Sequence, residues 1–266
     1  MASSAPTAHP FDALAAGYDA AFTDRRLGRW LREIVWEHLD DAFAPGDHVL
    51  EIGCGTGADA THLAGRGVRV TATDASLEML RAAEAKAARD GVTSGMTFSV
   101  WDAADPGAAP DGPFDGVFSS FGALNCVANR RALAATLARL VRPGGQVVLV
   151  LMGPVCPWEI GWLVLHGHPR AAARRLRHGR RSIVGGQPLA VWYPSASTLR
   201  ADLAPWFAFR DHVGVGMLLP PSELGDLVDH APRLFVPLAA ADRRMQRALP
   251  WRWLSDHYLL RLERVA

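Results

Sequence analysis

Val49-Leu-Glu-Ile-Gly-Cys-Gly-Thr-Gly57 runs from a strand-like apolar stretch straight into three glycines at alternate positions. Helical spacing follows over residues 58–66. A glycine-rich turn between a strand and a helix lets a ligand approach the backbone where a Cβ would collide. The start of the helix also offers unpaired N–H groups to an anion.

Outward from this turn, short apolar runs alternate with helical ones. The spacing predicts strands over 48–52, 68–73, 97–101, 114–119 and 146–152, with helices over 58–66, 77–90 and 130–141. Upstream, Leu27, Trp30, Leu31, Ile34, Val35 and Leu39 make residues 11–42 helical. Strands separated by such helices imply parallel βαβ units with right-handed crossovers. The expected fold is α/β, doubly wound and Rossmann-like, with a mostly parallel seven-stranded sheet and its ligand across the C-terminal strand ends. We divide the chain into an N-terminal helical segment (1–42), a ligand-binding core (43–152), an insertion after the fifth strand (153–205) that covers the site, and a last portion (206–266). That portion completes the same domain with strands over 206–213 and 257–264 and helices between them.

Composition removes several chemistries. The 266 residues carry 28 basic and 27 acidic side chains, and this near-neutrality argues against a nucleic-acid coat. Lys86 is the sole lysine, so there is no Gly-x-x-x-x-Gly-Lys phosphate loop. Cys54, Cys126 and Cys156 are too few for a disulfide framework or zinc cluster, and no metal site is expected. Residues 1–9 read as a frayed end without a leader pattern. No uncharged run reaches the roughly 18 residues of a membrane span. A cytoplasmic protein is the expectation, with its oligomeric state open.

The glycine turn alone leaves two readings, because Gly53-x-Gly55-x-x-Ala58 also satisfies a dinucleotide-binding pattern. Asp74, ending the second strand, accepts from a ribose diol in either. Glu51 before the turn, the third glycine Gly57, Trp101-Asp102 ending the third strand and Pro143-Gly144-Gly145 before the fifth break the tie. At these residues, over about 11–152, the chain resembles the class I S-adenosylmethionine-dependent methyltransferases.

That resemblance implies S-adenosylmethionine as cofactor, lying over the strand ends. Gly53, Cys54, Gly55 and Gly57 would pass beneath its methionine part, and Glu51 would hold the turn and face the amino end. Asp74 would take the ribose hydroxyls, Ala75 and Met79 would flank the adenine, and Asp102 and Ala103 would meet its edge. Ser119 and Ser120 would border the sulfonium, and Tyr18 would cover the cofactor with its ring.

Methyl transfer needs alignment more than a base, so no catalytic residue is assigned. Asp256-His257-Tyr258 resembles an acid–base pair but reads first as the start of the last strand. The turn after the fourth strand lacks the Asn-Pro-Pro-Tyr of enzymes that methylate base nitrogens, so no nucleic-acid partner is expected. Asn125, Trp192 and Tyr193 are candidate substrate contacts, with Trp158 and Trp162 as further pocket or insertion-core residues. The run 169–181 holds six arginines and no acid: a solvated face, an anion site or a membrane-surface contact. The sequence thus points to methylation of oxygen, nitrogen or carbon in a secondary or lipid-like small molecule. A macromolecular acceptor, a nicotinamide-dependent reductase and a non-catalytic cofactor-binding module stand as alternatives. The reductase reading lacks Tyr-x-x-x-Lys, which the lone Lys86 cannot supply.

Overall fold

The computed structural model describes residues 9–177 and 179–266. After α1 (Arg26–Ala42) come β1 (His48–Ile52), α2 (Ala58–Gly65), β2 (Arg69–Asp74), α3 (Leu77–Arg89) and β3 (Met96–Val100). β4 (Phe114–Ser119), α4 (Arg130–Leu140) and β5 (Val141–Met152) follow. The chain then leaves the sheet through α5 (Pro157–Leu165), α6 (Pro169–Ala172) and the antiparallel hairpin of β6 (Arg180–Val184) and β7 (Gln187–Val191). It returns through α7 (Ala196–Leu203), β8 (Phe207–Val215), α8 (Gly225–His230), α9 (Pro232–Met245) and β9 (His257–Arg264).

The sheet order is β3-β2-β1-β4-β5-β9-β8. The first five strands are parallel, and β9 runs antiparallel between β5 and β8. This is the expected doubly wound, mostly parallel sheet. Side chains alternate between its faces, as the two-residue period of a strand requires. Val49, Val148 and Val150 pack with Leu31, Leu39, Leu63, Leu80 and Ala83 on one face. Leu50, Val147, Leu149 and Leu151 pack with Leu133, Leu137, Leu199 and Leu203 on the other. Burial on both faces explains why the central strands read as nearly continuous apolar runs.

Three elements depart from expectation. The continuous N-terminal helix is broken: Asp12–Gly17 is a 3-10 helix, Asp19–Thr23 a π-helical turn, and Arg25 is extended before α1 starts. The break brings Phe22 back over Gly28, where a Cβ would stand 1.9 Å from the Phe22 carbonyl oxygen. β5 begins at Val141 rather than 146. Its register jumps from Phe114↔Val141 to Gly116↔Gln146, so Arg142, Pro143, Gly144 and Gly145 bulge out of the pairing. Residues 196–203 are not part of the excursion, because α7 sits on α4 and buries Leu199 and Leu203 in the core.

Candidate active site

The glycine turn leaves β1 at the middle of the sheet. Gly53, Gly55 and Gly57 all have positive φ, which glycine adopts without the steric cost a Cβ brings. Their surroundings differ. A Cβ on Gly53 would lie 2.2 Å from the Ala123 methyl, and one on Gly57 would lie 2.7 Å from that of Ala83. Gly57 therefore lets α2 approach α3. At Gly55 an added Cβ meets no atom within 4 Å, because this residue faces an open cavity.

Asp74 holds the turn from the neighbouring strand. Its two oxygens accept from Gly55 N at 2.9 Å and Ser76 N at 2.8 Å. Burial lifts its carboxyl above the usual range against those two donors. Asp102 follows β3, exposed, with its Oδ1 accepting from Ala104 N at 2.9 Å. Tyr18, Gly53, Gly55, Asp74, Ala75, Met79, Asp102, Ala103 and Ser120 line one cavity of about 610 Å³ across the strand ends.

The cavity has a roof built from two distant segments. The β6–β7 hairpin contributes Ile183, Val184, Leu189 and Val191, and the N-terminal segment contributes His9 and Phe11. Their meeting point is tight: a Cβ on Gly185, in the hairpin turn, would lie 2.0 Å from the Pro10 carbonyl oxygen. His9 is not frayed, since its N–H donates to Asp12 Oδ2 at 2.7 Å; residues 1–8 lie outside the described residues. Asp12 in turn accepts from Ser76 Oγ at 2.6 Å, and that bond holds its carboxyl below the usual range. None of these roof residues is a candidate from the sequence, whereas Tyr18 and Tyr193, which also line the cavity, are. The Gly185-Gly186 pair, a common hairpin turn, was the signal available.

A methyltransferase-domain family model matches residues 49–145. The nocamycin O-methyltransferase of Saccharothrix syringae is 32% identical over 260 residues, spanning 88% of this chain and 85% of that enzyme. The demethylmenaquinone methyltransferase of Symbiobacterium thermophilum is 32% identical over 195 residues, 65% of this chain and 75% of that one. In fold, the CcbJ methyltransferase from Streptomyces caelestis superimposes with a TM-score of 0.63 at 16% identity, covering 97% and 99% of the two chains. The chain belongs to the class I S-adenosylmethionine-dependent methyltransferases. The nicotinamide-dependent and non-catalytic readings are thereby set aside.

The site of this methyltransferase fits the family's cofactor on its own chemistry. Glu51 Oε2 and Ser120 Oγ are buried without a hydrogen-bond partner beside the turn. Ser120 borders the cavity and Glu51 stands behind its wall, so a ligand carrying hydroxyl and ammonium groups would supply the missing partner of Ser120 and a positive charge near Glu51. Burial, with Asp59 nearby, pushes the Glu51 carboxyl well above its usual range, a state that a cationic ligand would relieve.

Other predicted site residues stand behind the methyltransferase's cavity wall. Ser119 Oγ donates to the Ile52 carbonyl at 2.8 Å. Cys54 is buried, with its thiol pushed well up by burial and by Glu51. Asn125 is fully buried and does not face the cavity. Its amide nitrogen donates to the Met152 and Trp192 carbonyls at 3.1 and 2.6 Å, and its Oδ1 accepts from Met152 N at 2.9 Å. Asn125 thus bolts the hairpin's exit to the end of β5. Trp192 leaves the cavity to Tyr193, its neighbour. Trp158 and Trp162 border a separate surface pocket with Met217 and Trp251.

The arginine run is not a solvated helix face. Arg174 and Arg175 both grip Glu159, and Arg175 also reaches Asp256 Oδ1 at 2.6 Å. Arg181 lines the cavity. These internal pairs take Arg174 and Arg175 out of the basic run, while Arg170, Arg177 and Arg181 stay exposed; His178 lies outside the described residues.

Proposed function

We propose that this methyltransferase methylates oxygen, nitrogen or carbon of an apolar small molecule held beneath the hairpin roof. The observation that carries the reading is the enclosure itself. A cavity of about 610 Å³ is of small-molecule size, and the hairpin closes it with Ile183, Val184, Leu189 and Val191, leaving Arg174, Arg181 and Glu223 as the charged points of that side. The relatives' names agree in kind, one an O-methyltransferase of nocamycin and the other a methyltransferase of demethylmenaquinone.

In this reading Asp74 accepts from the ribose diol, Asp102 and Ala103 meet the adenine edge, and Gly53 and Gly55 admit the methionine part. Glu51 and Ser120 satisfy its polar groups, and Tyr18 closes over it. Bound S-adenosylmethionine supplies a methyl carbon made electrophilic by the sulfonium. The protein's part is alignment and exclusion of water, which Phe11, Phe121 and the hairpin provide.

Calorimetric titration with S-adenosylhomocysteine, followed by labelled-methyl transfer to a panel of apolar hydroxyl, amine and quinol compounds, tests the proposal. Binding with label in an organic-soluble product is the expected result. Absence of binding, or label found only in added protein or nucleic acid, overturns it.

A further inference from the structure

Asp256-His257-Tyr258 does begin the last strand, but its place in the sheet gives it a second property. Because β9 is antiparallel to β5, its first residue stands opposite the last residue of β5, and His257 pairs with Met152. The imidazole is thereby set at the edge of the sheet where Gly53 and Ser120 lie. It lines a second chamber of about 610 Å³, otherwise walled largely by apolar residues of the N-terminal segment. Tyr18, Phe121, Met152 and Glu223 border both this chamber and the cofactor cavity.

The surroundings of His257 resemble those of a proton acceptor. Phe121 meets its ring edge-on at 5.5 Å and holds φ at +50°, a conformation that costs a non-glycine residue energy. Nδ1 lies 3.1 Å from Asp256 Oδ2, close but poorly aligned for a hydrogen bond. The other Asp256 oxygen is gripped by Arg175, itself anchored on Glu159 at 2.7 Å. Burial alone would raise the Asp256 carboxyl; the facing imidazole and Arg175 outweigh it and hold it far below the usual range. Asp256, Arg175, Glu159 and His257 are all buried. A buried charge chain is a weak source of stability. What this one does is keep a carboxylate fixed beside an imidazole that opens on a chamber. The other ionisable groups around the chamber are Glu223 and Tyr18, with Arg32 behind the Phe121 ring at 4.9 Å.

We propose that the acceptor's reacting hydroxyl lies in this chamber, that His257 takes its proton, and that Asp256 positions the imidazole. The inference rests on the small-molecule methyltransferase reading and narrows its acceptor atom to oxygen. The acceptor oxygen bonds to the methyl carbon as the carbon–sulfur bond breaks, its electron pair staying on sulfur. The hydroxyl proton passes to Nε2 of His257, Nδ1–H remains toward Asp256, and the imidazolium loses that proton to solvent after product leaves. The products are the methyl ether and S-adenosylhomocysteine.

The test uses the full chain saturated with S-adenosylhomocysteine and 4-nitrophenol as probe, whose anion is yellow and whose neutral form is not. The wild-type protein is expected to bind the phenol and to show the anion at pH values where the free phenol is neutral, a shift of about tenfold in its ionisation. His257→Gln and His257→Asn should bind the phenol without that shift and bind S-adenosylhomocysteine within about twofold of wild type. Asp256→Asn should show a smaller shift, whereas Glu223→Gln should keep it whole. A shift that persists without His257, one lost with Glu223 instead, or failure of the loaded wild type to bind the phenol overturns the assignment. If S-adenosylhomocysteine itself does not bind, the cofactor-site reading fails, and this proposal falls with it for that separate, visible reason.

Discussion

Asp74 shows how a side chain can hold a turn and face a cavity together. Its carboxylate holds Gly55 N and Ser76 N, yet it also borders the cavity. Asp74→Ala is expected to weaken S-adenosylhomocysteine binding by about 1–3 kcal/mol, the worth of a hydrogen bond to a charged group. Calorimetry on a variant with unchanged circular dichroism checks it, and equal affinity removes Asp74 from the site. That Asp74, Gly53, Gly55 and Asp102 border one cavity was legible, because each ends or closely follows a parallel strand, and strand ends of a doubly wound sheet share one edge. Asn125 follows a strand in the same way and was misjudged. Its amide is used up by the Met152 and Trp192 carbonyls, and Trp192 is 67 residues away in the chain. No local pattern announces such a bond.

The N-terminal segment is tied down at the scale of an element. Lys86 on α3 pairs with Asp19 at 2.8 Å, and Thr56 Oγ1 donates to the same carboxylate at 2.6 Å. Burial opposes ionisation of Asp19, but the Lys86 and Thr56 bonds outweigh it and hold its carboxyl below the usual range. A depressed carboxylate contributes stability above its unfolded value of about 4 and loses it as pH falls through the folded value. Lys86→Met is therefore expected to cost about 1.5–3 kcal/mol at neutral pH and less toward acid. Hydrogen exchange of residues 12–25 across that pH range measures it, and equal protection in both proteins would show that the pair holds nothing in place. The apolar spacing of α1 identified the helix but not its break, because the π turn at Asp19–Thr23 depends on Thr56 of the glycine turn and Lys86 of α3.

For the whole molecule, closure of the roof is the decisive arrangement. Gly185 and Gly186 both have positive φ, yet only Gly185 abuts Pro10. Gly185→Ala and Gly186→Ala should share a conformational cost of about 1–2 kcal/mol. Only the former should also push the N-terminal segment off the hairpin, so S-adenosylhomocysteine should dissociate several-fold faster from it than from Gly186→Ala. Stopped-flow displacement reads the difference, and equal rates would mean the two segments close independently. Alternation along the strands, the positive-φ glycines and the acids at two strand ends are local properties. They gave the α/β sheet and the edge that bears its cavity from the order of residues alone, and the motif resemblance pointed to the family that the relatives show. Closure joins residues that the chain keeps far apart: Pro10 with Gly185, Arg175 with Asp256, Met152 with His257. These contacts are selected by packing volume and by the need of buried charges for partners, and neither exists until the sheet has assembled.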